Sequence, residues 1–298
     1  MDTLIILSPL LLGYLFKLTN PKGLQLIDRS LTALIYLILA IMGMGLAGLD
    51  NLGQEIGTIA SIVAVLVGLT LVANLALLPL LDRLLPLQIT ARRGDSNTLA
   101  MAAESLQLAL VVLAGFVLGL LIKVPHSWLD QLAMAILMLL LLLIGIQMRA
   151  ANMTLRQIVL NPRGLAIAAV VLLTSLAAGA ATAWGFELPL HHGLALASGV
   201  GWYSLSGAMI SQELGPMMGS IAFLTDLARE LVAIILIPML MPRSPASAIG
   251  YGGATAMDFT LPVIQRSGGA ATVPVAIVSG FLLSLAGPIL IPLFLSWG

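Results

Sequence analysis

Four charged residues stand in apolar surroundings near the C-terminal end of the chain. Asp226, Arg229 and Glu230 interrupt the run Gly219–Met241, GSIAFLTDLARELVAIILIPMLM, and Asp258 follows in a glycine-rich stretch, YGGATAMDFTLPV. If the run crosses a bilayer, its three charges lie near the midplane, each at a cost of about 2.5–3.5 kcal/mol. Charges at that depth pair with one another, face a water-filled cavity, or mark a path for an ion or substrate. Asp226 and Glu230 are four residues apart and share a helix face, and Arg229 is within helical reach of Asp226. A pairing of Arg229 with Asp226 neutralises both and leaves Glu230 and Asp258 as the acids open to a cation or a proton. The competing reading is one closed cluster of all four charges that holds helices together.

Two segments beside this constellation fit no ordinary span. Gly193–Gln212 reads GLALASGVGWYSLSGAMISQ, and Ala248–Gln265 reads AIGYGGATAMDFTLPVIQ. Glycine recurs at 199, 201 and 207 in the first and at 250, 252 and 253 in the second, which also holds Pro262. Irregular backbone at membrane depth leaves peptide groups unpaired and is tolerated only inside protein or beside a cavity. Short Gly/Pro-interrupted segments point to the binding site of a transporter, where half-helix ends offer N–H groups to anions and carbonyls to cations. Gly201, Trp202, Tyr203, Ser204, Ser206, Gly253, Thr255 and Thr260 are the candidate lining. Close packing of small residues between helices is the structural alternative.

The elements that must position these groups are helical spans. Of 298 residues, 60% are hydrophobic and 9% charged, against about 25% charge in a soluble domain. The expected fold is all-α, a single polytopic transporter domain over 1–298. Apolar runs of about 20 residues mark spans at Thr3–Phe16, Leu31–Leu49, Ile56–Leu81, Leu99–Ile122, Leu129–Met148, Gly164–Phe186, Gly219–Met241 and Ala270–Trp297. That makes eight spans, with 193–212 and 248–265 as re-entrant or discontinuous pieces. Met1–Leu18 lacks the basic start and cleavage site of a signal peptide and reads as a retained span. There are no cysteines, so thiolate metal sites and cysteine nucleophiles are excluded. No metal and no cofactor is expected.

Charge orients the spans. Lys17, Lys22 and Arg29; Arg83, Arg92 and Arg93; Arg149, Arg156 and Arg163; then Arg243 and Arg266 fall on alternate connections. Eleven of the thirteen Lys/Arg thus share one face. The positive-inside rule makes that face cytoplasmic and places both termini outside. Trp128, Trp184 and Trp297 fall near outer ends, as interfacial anchors do.

Other polar residues carry weaker signals. Asn74 and Gln107, inside spans, suit interhelical hydrogen bonds. Asp50, Asn51 and Glu55 suit a solvated outer turn, Glu104 an inner interface, and His126, His191 and His192 outer loops.

The strings GWYSLSG (Gly201–Gly207), LTDLARELVAI (Leu224–Ile234) and GATAMDFTLPVIQRSGG (Gly253–Gly269) resemble the LysO family of bacterial lysine exporters. TLRQIVLNPRG (Thr154–Gly164) is similar too, and MGMGLAGLDNL (Met42–Leu52) more loosely. The resemblance implies export of L-lysine and its toxic analogue thialysine across the inner membrane, in exchange for protons, with Glu230 and Asp258 as the important acids. In that scheme the backbone around Gly201–Gly207, with Tyr203, Ser204 and Ser206, holds the substrate carboxylate. L-lysine, protons and membrane lipid are the expected partners; nucleic acid is not, and a homodimer is left open. Rival readings are a sodium-coupled carrier of another small cation or amino acid, a cation channel, and an intramembrane aspartyl protease. The first is the nearest rival, since broken helices also bind Na⁺. A channel calls for an acid ring from an oligomer, and the paired Asp motifs of the protease are missing.

Overall fold

A peptide chain in a hydrocarbon medium must satisfy its own backbone, and long Leu/Ala/Val runs do so as helices. The computed structural model describes residues 3–18, 20–47, 52–87, 89, 98–122, 124–150 and 161–297, and among these there is no strand. The helices are α1 (Thr3–Leu15), α2 (Pro21–Ala47), α3 (Leu52–Leu84), α4 (Thr98–Leu121), α5 (His126–Ala150), α6 (Pro162–Gly185), α7 (Leu190–Ala197), α8 (Tyr203–Leu240), α9 (Pro245–Gly252), α10 (Leu261–Gly268) and α11 (Val273–Leu295). Short 3₁₀ turns occupy Gly253–Met257 and Ala270–Thr272. The chain is therefore all-α over its described residues.

Four described stretches are long and apolar enough to cross a bilayer: Pro21–Gly45, Ile56–Leu84, Pro162–Gly185 and Val273–Leu295. Leu110–Leu121 and Gln131–Ile146 are shorter apolar stretches. The expected first span is short: α1 has 13 residues, about 20 Å at 1.5 Å per residue.

The element that carries the buried charges is α8. It is a hairpin of two arms rather than one rod. Gly215 adopts φ 85°, ψ 171° and is followed by Pro216. The positive φ suits glycine, and Pro216 cannot donate an N–H back into the first arm. The arms lie antiparallel: Tyr203 stacks edge-on against Phe223 at 5.9 Å, and Ser206 bonds to Asp226 at 2.6 Å. In a straight helix, residues twenty apart are about 30 Å apart. The expected span Gly219–Met241 falls in the second arm, and the first arm takes up most of the glycine-rich segment before it.

Close backbone approach joins the neighbouring helices. A Cβ on Gly43 of α2 would meet Phe116 N of α4 at 2.8 Å, and one on Gly119 of α4 would meet Met44 O at 2.8 Å. Gly179 of α6 and Gly193 of α7 face each other's carbonyls in the same way. Two larger apolar clusters fill the interior. One runs from α2, α3 and α5 to the first arm of α8, and the other joins α6, α9, α10, α11 and the end of α8. The buried charges lie along the second arm, which contributes to both clusters.

Candidate functional site at the crossing of two broken helices

The first break separates α7 from α8. The chain turns through Gly199, Val200 and Gly201, with φ 49° at Val200 and φ 101° at Gly201. A β-branched residue at positive φ stores about 1–2 kcal/mol of strain. Asp226 reaches this break from the second arm of α8. Its Oδ1 accepts the Gly201 N–H at 2.8 Å, and its Oδ2 accepts the Ser206 hydroxyl at 2.6 Å. The carboxylate thus sits at the N-terminal end of the first arm, where the helix dipole favours a negative charge. A side chain at Gly199 would collide with that carboxylate.

The second break follows α9. Its terminal carbonyls receive Arg229, which donates from Nε to Tyr251 O at 3.1 Å and from Nη2 to Gly250 O at 3.2 Å. The guanidinium also lies 5.5 Å from the Tyr251 ring centre, a cation–π distance. A positive group at a helix C-terminus is the complementary arrangement. Gly253, at φ 63°, turns the chain, and the Ala254 N–H then donates to Val200 O at 2.9 Å. The two breaks therefore meet through a backbone hydrogen bond.

The pairing of Arg229 with Asp226 takes a form that spacing alone does not specify, an attraction without a direct hydrogen bond. Among the described residues they share no hydrogen bond, although both are buried and attract each other. The backbone groups freed at the breaks claim them instead, because an unpaired peptide group at this depth is costly.

Glu230, one helical position on, is buried to 1% exposure. Tyr203, half-buried, faces the charges of both Glu230 and Asp258, and Tyr36 of α2 lies near it. Asp258, where the 3₁₀ turn ends, is exposed and accepts the Phe259 N–H at 2.5 Å. The two acids therefore differ in exposure, Glu230 enclosed and Asp258 accessible, and both act on Tyr203. Trp202 is half-buried beside Tyr203, while Gly201, Ser204 and Ser206 are buried. Gly253 is buried against Val200. Thr255 and Thr260 turn inward: Thr255 Oγ1 donates to Gly252 O at 2.8 Å and lies 3.4 Å from Thr260 Oγ1. They hold the second break in shape.

Asn74 joins α3 to α6 by accepting the Thr174 hydroxyl at 3.3 Å and donates to Thr70 O. Gln107 is exposed on α4. His191 and His192 stack edge-on at 4.5 Å at the start of α7. Trp128, Trp184 and Trp297 are all exposed. Asp50 and Asn51 lie outside the described residues, as do the side chains of Glu55, Glu104 and His126. Among the described residues no three His, Asp or Glu side chains gather as a metal site would require.

Sequence reasoning missed Asp82, at the end of α3. It accepts the Ser244 hydroxyl and, at 3.0 Å, the Ala246 N–H, so it caps the start of α9. Ser244–Pro245 is a readable helix start, a capping serine before a first-turn proline. Nothing in the sequence names the distant acid that joins it.

Residues 109–295 match the family model described as lysine exporter LysO. The chain belongs to the LysO family. It is 48% identical over 294 residues to the lysine exporter LysO of Escherichia coli K12, covering 98% of each chain. A Haemophilus influenzae protein, provisionally named a lysine exporter, is 41% identical over 191 residues, covering 64% of this chain and 98% of that one. No solved structure matches. This is a family of transporters, not of enzymes, so the crossing belongs to a membrane transporter.

Proposed function

We propose that this protein exports L-lysine, and its analogue thialysine, across the bacterial inner membrane in exchange for protons. The observation that carries the reading is that buried Glu230 and exposed Asp258 both act electrostatically on Tyr203, which opens the helix beside the contact of the two breaks. Lysine carries two ammonium groups and a carboxylate. Glu230 and Asp258 take the ammonium groups, and the Tyr203 and Ser204 N–H groups of α8, which Asp226 leaves to other partners, take the carboxylate with the Tyr203 hydroxyl. Ser206 is committed to Asp226 and stays in the framework with Arg229. Trp202 and Tyr203, half-buried, form the wall nearest the substrate.

Protons and lysine compete for the same two carboxylates, which couples the fluxes without contact between them. Moving one positive charge outward against an inside-negative potential costs about 2.3 kcal/mol per 100 mV. One proton shared by the two carboxylates on the inward leg cancels that charge movement, so one-for-one exchange is electroneutral and driven by the pH gradient. The accompanying topology is one transporter domain over 1–298. It has eight spans, both termini outside, and 193–212 and 248–265 as discontinuous elements.

The test is transport of labelled lysine in proteoliposomes under a pH gradient, with wild type and Glu230→Gln. Lysine flux opposed by proton flux and lost in the variant is the expected result. Flux indifferent to pH would remove the proton coupling, sodium dependence would replace it, and a lysine-dependent current would exclude one-for-one exchange.

A further inference from the structure

A small cleft lies between α3, α6, α7 and the second arm of α8, against the Asp226–Arg229 face of the crossing. Its polar lining is Thr70, Ser175, Thr225, Asp226 and Arg229. The space available to the centre of a water-sized sphere is about 10 Å³, close to what one water requires. Ser175 Oγ and Thr225 Oγ1 are buried and have no hydrogen-bond partner among the described residues. Two orphaned hydroxyls on different helices, both lining one polar cleft, need an explanation, because buried polar groups are nearly always satisfied.

We propose that this cleft is a binding site for a single ordered water that links the hydroxyls of Ser175 and Thr225 to the Asp226–Arg229 pair. Each Asp226 oxygen already accepts one hydrogen bond and has capacity for another. Arg229 uses Nε and Nη2 on backbone carbonyls, and a guanidinium has five N–H donors. A molecule that both donates and accepts therefore finds two to four partners, the number a buried water makes. The charge balance selects a neutral occupant. Asp226 and Arg229 offset each other, and a bare cation would lie against the guanidinium. The water ties α6 to the second arm of α8, next to the level at which Asn74 and Thr174 join α3 to α6.

X-ray radiolytic labelling in oxygen-18 water tests the site. Leu66 and Leu196 form its apolar wall and are each only 1% exposed. They should take up label clearly above Leu140 and Leu141, which are 0% exposed, and the excess should fall in Thr225→Val. Labelling no greater than those two controls would overturn the proposal. Melting temperatures in sodium, potassium and choline chloride at equal ionic strength should agree. A rise of several degrees specific to sodium, lost in Ser175→Ala, would overturn it in favour of a cation site. Both experiments use the wild-type protein as reference and need no lysine flux, so their failure is distinct from failure of the transport reading.

Discussion

Replacing Arg229 by methionine keeps most of the side-chain volume and removes the charge. The structure sets the expected loss. Arg229 is 4% exposed and donates to two carbonyls at the end of α9. Hydrogen bonds from a charged donor contribute about 1.5–3 kcal/mol each. The substitution also leaves the buried Asp226 charge without its neighbour, and breaking one side of a buried charge arrangement costs about 3–5 kcal/mol. These effects overlap rather than add, so the expected destabilisation is about 3–5 kcal/mol. At about 2–4 °C per kcal/mol, the melting temperature in detergent should fall by about 6–20 °C, read by size-exclusion chromatography after heating. Asp226→Asn should be milder, because an amide can still accept the Gly201 N–H. The double variant, Arg229→Met with Asp226→Asn, should lose less than the two singles together by about 1–3 kcal/mol. An Arg229→Met protein that melts within about 2 °C of wild type would refute the claim that this guanidinium compensates the broken helix.

Further expectations follow from the same geometry. Gly253→Ala forces a side chain into φ 63° and against the Val200 carbonyl. It should cost at least about 1–2 kcal/mol and disrupt the contact between the breaks, seen as a lower melting temperature together with lost lysine efflux. Glu230→Gln and Asp258→Asn should each abolish lysine transport in proteoliposomes while eluting as folded protein, since each removes a charge at nearly constant shape. Asp82→Ala removes the acceptor of the Ala246 N–H while Ser244 still caps α9, and should cost about 1 kcal/mol, measured by melting, with lysine binding by the purified protein retained.

Much of the site could be read from residue types. A charge inside an apolar run is conspicuous because its cost is large, and glycine clusters mark where regular helix fails. Those two signals brought Asp226, Arg229, Glu230, Asp258 and the stretches around Gly201 and Gly253 together before any fold was known. The partners of those residues were not legible. Spacing of three along one helix suggests that Asp226 and Arg229 bond each other, but the competing partners, an N–H for Asp226 and two carbonyls for Arg229, are free only because two distant segments are broken. The reversal at Gly215 falls in the polar gap SQELGP between the broken segment and the span; what residue types leave open is that the two arms lie side by side. Nothing local to Asp82 marks its role, which depends on a serine 162 residues away.

The second arm of α8 anchors both breaks, with Asp226 on one and Arg229 on the other, only three residues apart. Neither broken segment is thus a self-sufficient module. A chimaera that imports a 248–265 stretch whose helix does not end at the same place would strand the buried Arg229 guanidinium. One that swaps 193–212 alone would strand a carboxylate. Recombination within this fold is therefore confined to crossover points before α7 or after α10, and the stretch between them is inherited, or engineered, as one unit.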